Sequence, residues 1–413
     1  MGTRIQIGYK AISEATSRLA SFLTVILAAR LLAPADFGVF SLAWALGWIV
    51  AAAADFGLQL YLAREVSRSP ARSGLLFRRL LRLRCGWTAA LLAAATVLCS
   101  LSGWPAQGRT AFLILIGWQL SSALIEFLNY FYRGLEKAHL ESTLNLLHRL
   151  PGLILAGAIL LSRPSLTAVS LALLATSLLT LAVSLPLAFK LASERSFSEL
   201  SQGPAGIPWK EVFPIGIGII LSALYFRLDL FLIEWWEGTS PVASYNAAHR
   251  LMEGFRLLPA AVLAVVFPLL CRDRSGRALL RTSLGLFLLA LPLSAAALWA
   301  SSGLLGFVYD GLYAESLTAF RILLAALPLL FANAALTHQL TAWNLQRLYA
   351  WLALGGLLCN ALLNAVLIPR CSIAGAAWAT LLTEVYLSAA CILVLVRERS
   401  RGQPRKGDLA QSR

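Results

Sequence analysis

The chain has 413 residues, of which 59% are apolar and only 13% charged, with a formal net charge of +15. A soluble domain carries about a quarter charged residues, so this composition excludes a water-covered globule and implies that lipid solvates much of the surface. Six scattered cysteines without CxxC spacing, and four histidines without metal-ligand spacing, argue against a disulfide framework or a zinc site.

A spanning helix needs roughly 20 mainly apolar residues. Apolar segments of that length fall at 12–32, 38–60, 83–102, 110–132, 143–162, 166–189, 211–236, 243–270, 283–301, 317–342, 349–368 and 373–396. They predict an all-α, polytopic membrane protein of about twelve spans. Pro151, Pro186, Pro214, Pro259, Pro268, Pro292 and Pro328 lie near or inside these segments and mark candidate kinks. The first apolar run is too long for a signal-peptide core and is expected to stay as a span.

Orientation follows from the basic residues. Most of the 35 Lys and Arg fall in the tails and in the loops on the N-terminal side of the membrane, including Arg64, Arg68, Arg72, Arg78, Arg79, Arg82 and Arg84 after span two. The opposite loops hold Arg30, Arg109, Arg163 and Arg370. This bias places both termini in the cytoplasm of a multi-pass cell-membrane protein and accounts for the net charge without nucleic acid. The same arginines meet anionic lipid head groups, so membrane lipids are partners.

The longest polar break, near 190–210, contains Gly203, Pro204, Gly206 and Pro208 and divides the chain six spans from six. The expected organisation is an N-terminal six-helix lobe (1–190), a cytoplasmic linker (191–210), a C-terminal lobe (211–397) and a basic tail (398–413). A faint likeness between Ala33–Leu46 and Ser240–Leu251 fits a parallel internal repeat.

Ionisable residues inside the spans carry the chemistry. Ser13, Glu14, Ser17, Arg18, Ser21 and Thr24 fall within about 140° of helix arc, and Glu14 with Arg18 is an i, i+4 pair in the favourable order. Gln119, Ser122, Glu126, Tyr130 and Arg133 form a second stripe, and Glu141, Asn145, His148 and Arg149 a third. Arg227 and Asp229 sit in span seven, and His249, Arg250, Glu253 and Arg256 share one face of span eight. Asn333, Thr337 and Thr341 line span ten, with Asn360 and Asn364 on span eleven. Each buried charge costs about 2.5–3.5 kcal/mol at a helix centre, so these groups face the bundle interior, a watery cavity or one another. Glu14, Arg18, Glu126, Arg227, Asp229, His249, Arg250, Glu253 and Arg256 are the candidate substrate-binding residues. Snorkelling and helix-packing ion pairs are the structural reading of the same stripes, favoured for Arg149 and Arg321 near span ends. No catalytic, cofactor or nucleotide motif competes, and the outward loops leave little room for a catalytic domain.

AARLLAPADFGVFSLAWAL followed by AADFGLQLYLAREVSR resembles the opening helices of the polysaccharide-transport flippases. FPIGIGIILSALYFRLDLFLIEWWEG with VASYNAAHRLMEGFRLLPAAVLAVVFPLL, and LCNALLNAVLIPRCSIAGAAWATLLTE, are similar to the same family's helices seven, eight, eleven and twelve. This is the O-antigen and oligosaccharide-lipid branch of the multidrug/oligosaccharidyl-lipid/polysaccharide exporter superfamily. The resemblance implies two six-helix lobes around a central cavity and alternating-access flipping of a lipid-linked oligosaccharide, as in lipopolysaccharide assembly. It further implies an undecaprenyl-pyrophosphate carrier and polysaccharide polymerase and assembly proteins as partners. Two alternatives stay open: a drug or cation antiporter of the same superfamily, for which the glutamates speak, and a membrane glycosyl polymerase or ligase.

Overall fold

The computed structural model describes residues 3–100, 106–194, 209–273, 276–343 and 345–402. Residues 195–208 of the expected linker and 403–413 of the expected tail lie outside them. Among the described residues the chain is helical, without a strand. It packs as two compact units, Met1–Arg227 and Leu228–Arg413. The first holds α1 (Thr3–Leu31), α2 (Pro34–Asp55), α3 (Leu58–Arg68), α4 (Ser73–Ser100), α5 (Ala106–Gly134), α6 (Ala138–Ser162), α7 (Leu166–Ser193) and α8 (Trp209–Tyr225). The second holds α9 (Leu228–Glu237), α10 (Thr239–Phe255), α11 (Leu257–Arg272), α12 (Arg277–Trp299), α13 (Ser301–Tyr309), α14 (Leu317–Ala325), α15 (Leu327–Ala342) and α16 (Gln346–Gly402).

Among the described residues, eight helices are long and apolar enough to cross a membrane, and the broken pairs α8 with α9 and α14 with α15 raise the number to ten. One of the eight, within α16, is itself two spans. Its backbone leaves helical geometry at Ser372 (φ 52°, ψ −140°), Gly355 and Gly356 pack on Tyr386 and Leu387, and Asn360 Nδ2 donates to Thr383 Oγ1 at 3.4 Å. The two limbs therefore run antiparallel. The remaining expected span is the pair α10 and α11, each too short alone. The all-helical polytopic fold read from the sequence is borne out.

The helix breaks are distributed differently from the prolines. Pro151, Pro186 and Pro292 sit inside continuous helices. Pro328 instead opens α15 after a 45° bend from α14, a first-turn position where its missing N–H costs nothing. Pro259 stands in the first turn of α11, where it cannot donate to the end of α10.

In the first unit, α1 lies along α6, α5 packs on α7, α2 and α3, and α8 packs on α2 and α3. Phe77 of α4 stacks on Phe131 at 4.3 Å between ring centroids and meets Phe189 edge-on at 5.7 Å. Gly134 lets α5 close on α3, since a Cβ there would stand 2.9 Å from Val66 Cβ and 3.0 Å from Ala63 O. Hydroxyls in the spans satisfy themselves on the preceding turn, as Ser41, Ser122, Ser170 and Thr180 do on carbonyls four residues back.

The break between α2 and α3 rests on a charge pair. Phe56 (φ 46°) and Gly57 (φ 80°) take left-handed backbone. Asp55 caps α3 by accepting from Gly57 N at 3.1 Å and Gln59 N at 3.0 Å. Arg84 of α4 meets Asp55 Oδ1 at 3.4 Å and donates to Ala123 O of α5 at 3.3 Å. With its side chain 1% exposed, Arg84 is an interior residue, and not the loop charge its sequence position suggested. Removing one member of a buried pair costs about 3–5 kcal/mol, because the other stays charged and unpartnered. Arg84→Met is therefore expected to lower the unfolding temperature in detergent sharply. Adding Asp55→Asn, which keeps an acceptor for the α3 cap, should restore much of the loss. A double variant as unstable as the sum of its singles counts against the pairing.

Candidate functional site

The polar stripes of α1, α5 and α6 meet inside the first unit. At the end nearest the N-terminus, Lys10 Nζ lies 3.2 Å from Glu141 Oε2, and Arg133 binds the same carboxylate through Nε and Nη2. One turn further, Arg18 donates to Glu14 Oε1 through Nη2 at 3.0 Å and Nε at 3.2 Å. Asn129 donates to Asn145 Oδ1 at 2.8 Å. Glu126, exposed on α5, lies within electrostatic reach of Arg149, Asp55, Arg133 and Glu14. Arg149 lies over the Trp118 ring at 5.9 Å, and His148 Nε2 shares a 3.2 Å hydrogen bond with Ser122 Oγ. A pocket opens at this level, lined by Ser21, Thr24, Trp44, Trp118, His148 and Arg149. Three further atoms on these helices, Ser17 Oγ, Asn129 Oδ1 and Ser142 Oγ, are buried without a partner among the described residues. Such atoms are met by water or by a ligand's hydroxyls.

The cleft holds Lys10, Arg18, Arg133 and Arg149 against Glu14, Glu126 and Glu141, so cations exceed carboxylates by one. The helical period makes this possible. Residues three and four apart stack on one face, and close packing of α1 on α6 turns those faces toward each other. Arg227, the last residue of this unit, is 7% exposed and lies 5.7 Å from the Trp48 ring centroid.

The second unit holds the other candidates as two groups. Asp229 is buried in the first turn of α9, accepting from Tyr245 Oη at 2.6 Å and from Leu230 N at 2.9 Å; Tyr245 Oη also stands 3.3 Å from Thr380 Oγ1. On α10, Glu253 accepts from Arg250 Nη1 at 2.7 Å, and His249 Nδ1 lies 3.4 Å from its other oxygen. Arg256, in line on the same stripe, falls at the junction of α10 and α11. Deeper, Asn333 donates to Glu384 Oε2 at 2.6 Å and accepts from Ser388 at 2.7 Å, and Asn364 donates to Asn360 Oδ1 at 2.9 Å. Among the described residues no cluster of three or more His, Cys, Asp or Glu could hold a metal.

Of the nine candidates, Glu14, Arg18 and Glu126 are brought to one cleft, and Arg250, Glu253 and His249 to another group. Sequence reading overlooked Lys10, Trp44 and Trp118. Lys10 carries a usable signal, being one turn before Glu14 on the same stripe; the tryptophans carry none that separates them from core.

Residues 6–272 match the family model described as polysaccharide biosynthesis protein, well over half of the chain. The chain belongs to that family. No curated protein sequence matches it. Among solved structures, the inward-facing conformation of a multidrug resistance MATE family transporter of the MOP superfamily aligns at a TM-score of 0.75. That pair is 14% identical, covering 93% of this chain and 95% of the other. The inward closed conformation of the lipid II flippase MurJ aligns at 0.67, with 14% identity, over 94% of this chain and 87% of the flippase. A MOP superfamily transporter from Pyrococcus furiosus aligns at 0.63, with 15% identity, over 96% and 94%. At these identities the likeness establishes the polytopic transporter fold.

If the cleft is hydrated, cysteines placed at Arg18 and Glu126 in a cysteine-free background should react with a small membrane-impermeant thiol reagent. Cysteines at Ser177 and Asn364, both fully buried, should not. Inert Arg18→Cys and Glu126→Cys beside reactive loop positions would rule out a water-filled cleft.

Proposed function

We propose that this chain carries a lipid-linked oligosaccharide, built on a polyprenyl diphosphate, from the cytoplasmic to the outer leaflet by alternating access. The product would supply a membrane glycosyl polymerase and its assembly partners, and the transport step itself makes and breaks no bond. The observation that carries this reading is the surplus of cations in the α1–α5–α6 cleft of a polysaccharide biosynthesis family member. A diphosphate brings negative charge into a partly dehydrated space. Arginine stays protonated there and offers a planar fork matched to phosphate oxygens. Sugar hydroxyls suit the neutral part of the cleft, with Ser17, Ser21, Asn129 and Asn145. The basic bias of the loops supports cytoplasmic termini in a cell membrane. Reporter fusions after Gly238 and Asp310 should then read outside, and fusions after Lys137 and Arg347 inside.

A multidrug exporter of the same fold is the second reading, favoured by the exposure of Glu126 and by the MATE neighbour. Variants separate the two. For the anionic cargo, Arg18→Gln and Arg256→Gln should each cut lipid-linked sugar export more than tenfold. The cause is loss of a hydrogen bond to a charged group, worth about 1.5–3 kcal/mol. Arg256→Lys should retain part of the rate. Glu253→Gln should be mild, because it leaves Arg250 less occupied. A cation exporter reverses the ranking, with Glu14→Gln or Glu253→Gln inactive and the arginine variants tolerated at matched membrane abundance.

A further inference from the structure

At the N-terminal end of the cleft, charge is out of balance in a specific way. The Glu141 side chain is 2% exposed, and one of its oxygens takes both Lys10 Nζ at 3.2 Å and Arg133 Nε at 3.3 Å. Arg133 Nη2 binds the other oxygen. Helix packing needs a single cation to neutralise a buried carboxylate; this carboxylate holds two. The surplus faces outward, since the Lys10 and Arg133 side chains remain 35% and 39% exposed. Arg133 is further fixed by lying over the Tyr130 ring, 4.2 Å from its centroid. The Tyr9 and Thr143 hydroxyls, 3.0 Å apart, come from the same two helices as Lys10 and Glu141.

Both cations keep unused donors, because an ammonium has three N–H groups and a guanidinium five. They also share an oxygen, so they stand close enough for one diphosphate to bridge them. We infer that Lys10 and Arg133, positioned by Glu141, form a loading station for the diphosphate of a polyprenyl-diphosphate cargo. It is the first contact before Arg18 and Arg149 deeper in the cleft. This inference rests on the anionic-cargo reading above. Glu141 has two effects: it holds the cations at bridging distance, and it offsets one of their charges, so the diphosphate is held loosely enough to move inward. A phosphate arriving here exchanges one set of charge-assisted bonds for another without leaving a cation exposed to hydrocarbon.

The test uses the purified full-length chain in nanodiscs, with farnesyl diphosphate, inorganic diphosphate, farnesol and tetraphenylphosphonium as probes, and melting temperature recorded for every variant. Lys10→Gln and Arg133→Gln are expected to weaken farnesyl diphosphate binding about tenfold or more each, and Arg133→Lys by less. Glu141→Gln is expected to tighten it, and inorganic diphosphate to compete while farnesol does not. If Arg133→Gln does not fold, Lys10→Gln and Arg133→Lys, which keep the tie to Glu141 or part of it, decide. Wild-type binding that Arg18→Gln weakens but Lys10→Gln and Arg133→Lys leave unchanged overturns the station and spares the cargo. Melting temperatures that fall with no change in affinity reduce the cluster to a helix tie and overturn it as well. Binding of tetraphenylphosphonium with none of either diphosphate overturns both readings.

Discussion

An ionised side chain inside an apolar slab must find its counter-charge within the protein, since neither lipid nor bulk water supplies one. The penalty for a lone arginine or aspartate at a helix centre, about 2.5–3.5 kcal/mol, is a large fraction of a typical stability of about 5–15 kcal/mol. This chain keeps its interior charges by grouping them. Asp55 and Arg84 pair across α2 and α4, Glu253 gathers His249 and Arg250, and Glu141 gathers Lys10 and Arg133. The weaker polar groups solve the same problem locally, by bonding the carbonyl one turn back. Helix packing in the first unit follows from these groupings as much as from the phenylalanine core, because each pair fixes two helices at side-chain distance.

Two kinds of interior charge therefore need to be separated. Asp55 and Arg84 are wholly buried, and Asp55 spends its remaining acceptor capacity on the first amides of α3. Arg84 keeps Nε unpartnered among the described residues, but its 1% exposure leaves a ligand no way to reach it. Glu14 and Arg18 are paired but each about half exposed, and Arg133 and Lys10 are paired with exposure to spare. Their side chains can exchange partners without a net loss of charge-assisted bonds. A transporter interior needs this second kind, since its cargo must be bound and then released.

The helical architecture was legible in the sequence because spanning helices must be long and apolar, and the polar stripes were legible because residues three and four apart share a face. Glu14 with Arg18 is local and was read directly. Lys10 with Glu141 joins positions 131 residues apart, and Asp55 with Arg84 joins positions 29 apart. No periodicity encodes which stripes will face each other, so both pairs emerged only from packing. Arg84 shows the cost of reading charge by count: it follows six loop-side arginines and adds to the apparent orientation signal while being buried. The prolines misled for a related reason. The helices run uninterrupted through Pro151 and Pro292, and the chain breaks where Pro328 or Pro259 falls in a first turn.

The sites of the breaks explain where the remaining charges sit. A helix end exposes unpaired carbonyls or amides with a partial charge, negative at the C-terminus and positive at the N-terminus. Arg227 follows the last residues of α8, where a cation is favoured, and Asp229 lies in the first turn of α9, where an anion is favoured and Leu230 N is there to donate. Arg256 closes α10 but also precedes α11, and Asp55 is the last residue of α2 while its carboxylate accepts from the first amides of α3, so at these two breaks only one of the two helix ends has the favourable sign. Spacing an arginine and an aspartate two residues apart would be repulsive to hydrocarbon in an unbroken helix. At a break, the same pair meets two helix dipoles of the right sign. An interrupted span thus turns isolated charges from a liability into the groups that terminate and restart the helix, which is why these residues and the interruptions occur together.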